Sequence, residues 1–178
     1  MNDNKYNPEG KGILFIDSNY NELFRVPDGG RIVVTRPEGE IYPGVQEEWV
    51  GDCRYLDGTH VEINGECYHI CQFAELQERI GAVVEPEVEP EMVGGHYRVT
   101  RRAYVGGKVF KLGESPGAPS PYATWQGYRD SSRCDWGHYW QDRQSAAADL
   151  LRRQESERLG IPYDHTKPYR RGKDSGAR

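Results

Sequence analysis

This chain predicts an α+β fold of two small lobes, each an antiparallel β-meander or hairpin sheet with one packed helix, joined by an acidic, proline-containing linker. Three observations predict it. Short β-branched and aromatic runs, bounded by Gly, Pro, Asn and Asp, fill most of the sequence. One stretch in each half changes to helical spacing. Between the halves, Val84-Glu85-Pro86-Glu87-Val88-Glu89-Pro90-Glu91 repeats a motif whose prolines lack amide donors and whose carboxylates repel, which favours an extended, solvated segment. The expected boundaries are 1–83 for an acidic, β-rich lobe, 84–94 for the linker, 95–160 for a basic, aromatic-rich lobe and 161–178 for a flexible basic tail.

The first lobe opens with two apolar runs, Gly12-Ile13-Leu14-Phe15-Ile16 and Leu23-Phe24-Arg25-Val26, and the turn formers Asp17-Ser18-Asn19-Tyr20-Asn21 between them make a hairpin. Pro27-Asp28-Gly29-Gly30 breaks the chain before the β-branched strand Arg31-Ile32-Val33-Val34-Thr35, which Pro37-Glu38-Gly39-Glu40 ends. Strand runs follow from Glu48 to Leu56 and over His60-Val61-Glu62-Ile63. Asn64-Gly65 then marks a further hairpin, because both positions accept the positive φ of a type I′ turn. From Ile70 the period changes: Ile70, Phe73, Leu76 or Gln77, and Ile80 recur at near-helical spacing, and Gly81 supplies the stop.

The second lobe begins with a basic hairpin, His96 to Val105 and Lys108 to Leu112, turning at Gly106-Gly107. Prolines and glycines make 113–121 a loop. Gly137-His138-Tyr139-Trp140 leads into Asp142, a suitable N-cap for a helix carrying Ala146, Leu150 and Leu151, which Gly160 and Pro162 end.

Charge divides the chain more sharply than hydropathy does. Residues 1–94 hold 7 Lys and Arg against 19 Asp and Glu, a net −12, whereas 95–178 hold 16 against 9, a net +7. An acidic surface steers toward basic partners and a basic one toward phosphates. Mean hydropathy is low, −0.86, but 11% aromatic residues and 21 glycines argue against wholesale disorder. No apolar run approaches the roughly 18 residues that cross a bilayer, and Met1-Asn2-Asp3-Asn4 lacks a secretory pattern, so no membrane partner and a cytoplasmic location are expected. Four cysteines, Cys53, Cys67, Cys71 and Cys134, are unevenly placed and read as free thiols.

Candidate chemistry is sparse. Cys67-Tyr68-His69-Ile70-Cys71 contains zinc-ligand types but has only distant Cys53 as a fourth ligand, and reads as core and boundary. Cys134, Asp135 and His138 carry the residue types of a thiol site without a nucleophile motif around them. Neither glycine pair has the spacing or trailing lysine of a phosphate loop. No catalytic, cofactor-binding or metal-ligating residue is expected, and the chain is expected to act by binding.

Two sets of residues are candidates for that binding. In the acidic lobe, Glu38, Glu40, Glu47, Glu48, Asp52 and Asp57 lie on strands and turns, where carboxylates imitate spaced phosphates and fit a basic nucleic-acid channel; the competing role is solubility. In the basic lobe, Arg98, Arg101, Arg102, Lys108, Lys111, Arg129 and Arg133 are interleaved with aromatics including Trp125, a mixture that suits single-stranded nucleic acid or an RNA-containing complex. Aromatics of a small β lobe also build its core, and cations commonly cover solvated strand faces.

The run Leu23-Phe24-Arg25-Val26-Pro27-Asp28-Gly29-Gly30-Arg31-Ile32-Val33-Val34-Thr35-Arg36-Pro37-Glu38-Gly39, with Cys53-Arg54-Tyr55-Leu56-Asp57 and Cys67-Tyr68-His69-Ile70-Cys71-Gln72-Phe73-Ala74-Glu75, resembles small accessory proteins of conjugative elements and phages in gut-dwelling Firmicutes. Gly137-His138-Tyr139-Trp140 resembles the same pool more loosely. These are fold-keeping residues, and the resemblance implies a mobile-element setting in a bacterial host cell. Proteins of that setting include anti-CRISPR inhibitors, which implies an inhibitor that binds a type II CRISPR effector nuclease with its guide RNA and blocks DNA binding or cleavage. The alternative is a nucleic-acid-binding accessory protein of a conjugative element or phage.

Overall fold

The computed structural model describes residues 12–163, and these group into two compact units, 12–40 with 47–90 and 41–46 with 91–163. The sheet is mostly antiparallel, and each unit carries one helix among its described residues.

In the first unit, β1 (Ile13–Ile16) pairs with β2 (Glu22–Val26). Asp17 builds their turn: its Oδ1 accepts from the backbone N–H groups of Asn19 and Asn21, each at 2.8 Å, which is the local side-chain closure that favours Asp in turns. β3 (Arg31–Arg36) lies between β4 (Val45–Tyr55) and β7 (Val83–Pro86). Beyond Gly51, where a Cβ would collide with Ile63 and Trp49, β4 continues onto β5 (His60–Ile63), which pairs with β6 (Glu66–His69).

Asn64 and Gly65 take φ of 52° and 86°, the left-handed values the expected hairpin turn requires. The Asn64 side chain also ties the turn to β4, accepting from Asp52 N–H at 2.9 Å and donating to the Val50 carbonyl at 3.2 Å. Helix α1 (Gln72–Ile80) ends where Gly81 turns left-handed and its N–H donates to the Gln77 carbonyl. The core behind these strands is Phe15, Ile32, Val34, Cys53, Val61, Ile63 and Phe73, all buried. Phe15 stacks on Phe24 at 4.8 Å and meets Phe73 edge-on at 5.8 Å.

The segment expected as a solvated linker contributes two strands instead. Val84 of β7 is buried opposite Val34, and Glu87 N–H donates to the Arg31 carbonyl at 2.8 Å. Pro86 closes the strand, a position where a missing amide donor is tolerated. Met92–Val93 forms β8, leaving Val88, Glu89 and Pro90 exposed between them.

The second unit is a meander of β8, β9 (Tyr97–Val105), β10 (Lys108–Glu114), β11 (Tyr122–Tyr128) and β12 (Cys134–Trp140). Strand β11 and the first part of β12 lie in a stretch where the sequence pattern indicated no element. Helix α2 (Arg143–Leu159) is capped by Asp142, which accepts from Ser145 N–H at 2.8 Å, and it stops at left-handed Gly160. Its Ala146 and Leu150 pack with Ala103, Val105, Phe110, Leu112 and Trp140. A smaller cluster of Tyr97, Ala123 and Trp125 forms a separate apolar group. Of the expected tail, 161–163 is described and 164–178 lies outside the described residues. No helix among the described residues is long and apolar enough to cross a membrane.

Candidate interaction surfaces

The acidic candidates divide along the β3–β4 hairpin. Arg36 stands opposite Glu47 and Thr35 opposite Glu48, so these two carboxylates share one end of the hairpin with exposed Glu38 and Glu40. Glu40 Oε2 lies 3.3 Å from Arg36 Nη1. Asp52 sits at the other end, opposite Arg31 and ion-paired with it.

Asp57 serves its own turn, since Oδ1 accepts from Thr59 N–H at 2.7 Å and His60 N–H at 2.9 Å. The Thr59 amide bond, aided by the Thr59 hydroxyl and His60, lowers this carboxyl to about 2. The described residues of the first unit hold 16 Asp and Glu against 5 Lys and Arg, a net −11.

The basic candidates are far less available than their sequence positions imply. Glu91, counted with the linker by its neighbours, takes an ion pair from Arg102 at 2.7 Å and a second from Lys111, whose side chain is buried. Burial pushes the Glu91 carboxyl up, but the bonds from Lys111 and Arg102 outweigh it and hold the group below its ordinary value. Lys108 Nζ lies 2.7 Å from Glu157 on α2, and exposed Arg133 lies 3.0 Å from Asp135.

Arg129 stands over the Tyr104 ring at 4.7 Å and donates through Nε to the Gly106 carbonyl. Arg98 and Arg101 occupy β9 half-buried, opposite Glu114 and Leu112. Trp125 is 4% exposed and packs edge-on against Tyr97 and Tyr139, so its ring is core and presents no stacking face to solvent. Arg102, Tyr104, Lys111 and Arg129 are gathered with Glu91 around one concavity of about 370 Å³.

Counting the described residues, the second unit holds 11 Lys and Arg against 8 Asp and Glu, a net +3. At least six of the eleven cations are ion-paired: Arg102, Lys108, Lys111, Arg133, Arg143 and Arg153. A further +3 belongs to 164–178, five Lys and Arg against two Asp, outside the described residues.

A buried polar cluster on α2 joins the helix to the sheet of the second unit. Asp149, fully buried on α2, accepts from Arg153 Nε at 2.9 Å and from the hydroxyls of Thr124 and Tyr163, and stands 3.3 Å from His138 Nδ1. Burial raises the Asp149 carboxyl, yet Arg153, Thr124 and Tyr163 together hold it below its ordinary value. Burial and the Asp149 carboxylate raise the Tyr163 phenol. Arg153 spends a further N–H on the Trp136 carbonyl at 2.6 Å. His138 therefore faces Asp149, whereas Cys134 packs against the Tyr97–Trp125 cluster, and the paper constellation of Cys134, Asp135 and His138 is not assembled.

In the first unit, His69 Nδ1 lies 2.9 Å from Cys71 Sγ while Cys67 is exposed. Among the described residues no group of three His, Cys, Asp or Glu is arranged to hold a metal ion. Compared with known proteins, the chain matches no family model, no curated protein and no solved structure.

Proposed function

We propose that this protein is a non-enzymatic inhibitor that lays its acidic first unit on a basic channel of a guide-RNA-loaded type II CRISPR nuclease and so blocks DNA binding or cleavage in the bacterial host. The observation that carries this reading is the unequal availability of charge. The first unit keeps a net −11 over its described residues, and Glu38 and Glu47 share one hairpin end with Glu48 and with Glu40, which pairs with Arg36. Arg102, Lys108, Lys111 and Arg153 of the second unit are held by carboxylates of the same unit at partly or fully buried positions. A charge held in an internal pair must lose that partner before it contacts a phosphate, so a phosphate-gripping role is disfavoured relative to an acidic docking role. An acidic surface facing a basic channel gains rapid, salt-sensitive association.

The test is guided DNA cleavage by a type II nuclease with a titrated excess of this protein. Cleavage falls with dose if the proposal holds and is unchanged if it fails. One observation favours a second reading, a nucleic-acid-binding accessory protein: Tyr128, Trp136 and Tyr139 are more than half exposed, and aromatic faces stack on bases. Gel shifts with single- and double-stranded oligonucleotides separate the two, since binding to bare strands at physiological salt belongs to the accessory protein alone.

A further inference from the structure

Within the second unit, Tyr42, Val45, Leu151, Gln154, Glu155 and Arg158 line a cleft of about 180 Å³. Its walls are unlike one another. Tyr42 and Leu151 are exposed apolar surfaces, 46% and 44% accessible, and Arg158 holds its guanidinium 5.8 Å from the centre of the Tyr42 ring. Gln154 is 3% exposed, and its Nε2 is buried with no hydrogen-bond partner.

A buried amide donor without an acceptor is costly, and a bound group that supplies one recovers that cost. The carboxamide carries a donor and an acceptor side by side in one plane. The complementary edge has an acceptor adjacent to a donor, as in the N7 and 6-amino pair of adenine, the pairing glutamine makes when it reads bases. The apolar flanks suit the faces of a flat ring. A cavity of about 150 Å³ holds benzene, so this cleft has the scale of one ring system.

We infer that this cleft binds an adenine-type base, presented as the base or its nucleoside, with the base edge on Gln154 and the ring against Tyr42 and Leu151. The inference uses no residue of the acidic unit and stands or falls independently of the proposed nuclease target.

The experiment titrates adenosine, purine riboside and N-acetyl-tyrosinamide into the full chain by calorimetry and ligand-observed NMR. It repeats adenosine with Gln154→Leu and Tyr42→Ala and records the melting temperature of each variant. Adenosine binds saturably, and purine riboside, which has hydrogen in place of the 6-amino donor, binds roughly tenfold more weakly or worse. Gln154→Leu loses affinity to a similar degree without a lower melting temperature, because it removes an unbonded donor. Tyr42→Ala, a change at a surface ring, weakens adenosine binding as well. The inference is overturned if adenosine does not saturate or if purine riboside binds equally well. It is also overturned if Tyr42→Ala and Gln154→Leu both bind like the parent, or if N-acetyl-tyrosinamide is preferred, which would make the cleft a peptide side-chain pocket.

Discussion

Arg153 Nη2 donates to the carbonyl oxygen of Trp136 at 2.6 Å, and Trp136 has a φ of +57°. A bulky residue in the left-handed region is a backbone outlier that its surroundings must enforce. The carbonyl of this outlier is held by a buried arginine, itself oriented by Asp149 from one helical turn away. The buried polar cluster thus touches β12 where its pairing with β11 shifts register, and the Trp136 indole there is 54% exposed.

Removing Arg153 strands a buried carboxylate. Arg153→Leu should cost about 3–5 kcal/mol in urea unfolding, whereas Arg133→Ala, which breaks an exposed pair with Asp135, should cost about 0–1 kcal/mol. Equal effects would mean that the Asp149 cluster does not organise the unit.

Acid stability should carry the signature of Asp149. Its carboxyl titrates below the unfolded value, so its stabilising contribution is fully present above about pH 4 and is lost as the pH falls through the folded value. Asp149→Asn should flatten the stability profile below pH 4 in equilibrium unfolding at a series of pH values. An unchanged acid limb would contradict the assignment.

Gly113 leaves no room for a side chain. A Cβ there would lie 2.7 Å from Trp125 Cζ3 and 3.3 Å from Tyr97 Cβ. Gly113→Ala should destabilise the protein by about 1–3 kcal/mol and change the near-ultraviolet circular dichroism of the Tyr97–Trp125 pair. Gly107→Ala, where a Cβ meets nothing within 4 Å, serves as the mild comparison.

The thiols should differ in reactivity by place. Burial, with the Asp52 carboxylate nearby, pushes the Cys53 thiol up to about 12, while Cys67 is exposed. Alkylation of the native protein at pH 8 followed by mass mapping should label Cys67 first and reach Cys53 only on unfolding. Rapid native labelling of Cys53 would contradict the packing of the first core.

Much of the secondary structure was legible because its signals are local. Asn64-Gly65, Gly81, Asp142 and Gly160 each act within a turn of their own position, and the elements they bound are where those residues place them. Strand β7 was hidden because Val83-Val84 is followed by the Pro and Glu composition of a linker, and only pairing with β3 shows that Val84 enters a core.

The candidate sites were less legible for a different reason. Arg102 and Lys111 meet Glu91 across 11 and 20 residues of sequence, and nothing local announces which cation is neutralised. In the Asp149 cluster, the pair with Arg153 is spaced i,i+4 on a helix and was open to a sequence argument. Its bonds to Thr124 and His138 come from the sheet and had no local mark.

The central claim is that the acidic hairpin end carries the binding. It is tested most directly by the affinity of this protein for a guide-loaded type II nuclease, compared with a Glu38→Gln, Glu40→Gln, Glu47→Gln, Glu48→Gln variant at low and physiological salt. The account predicts saturable binding by the parent that weakens with salt and falls about tenfold or more in the variant. Parent and variant binding alike, or neither binding at all, would contradict it.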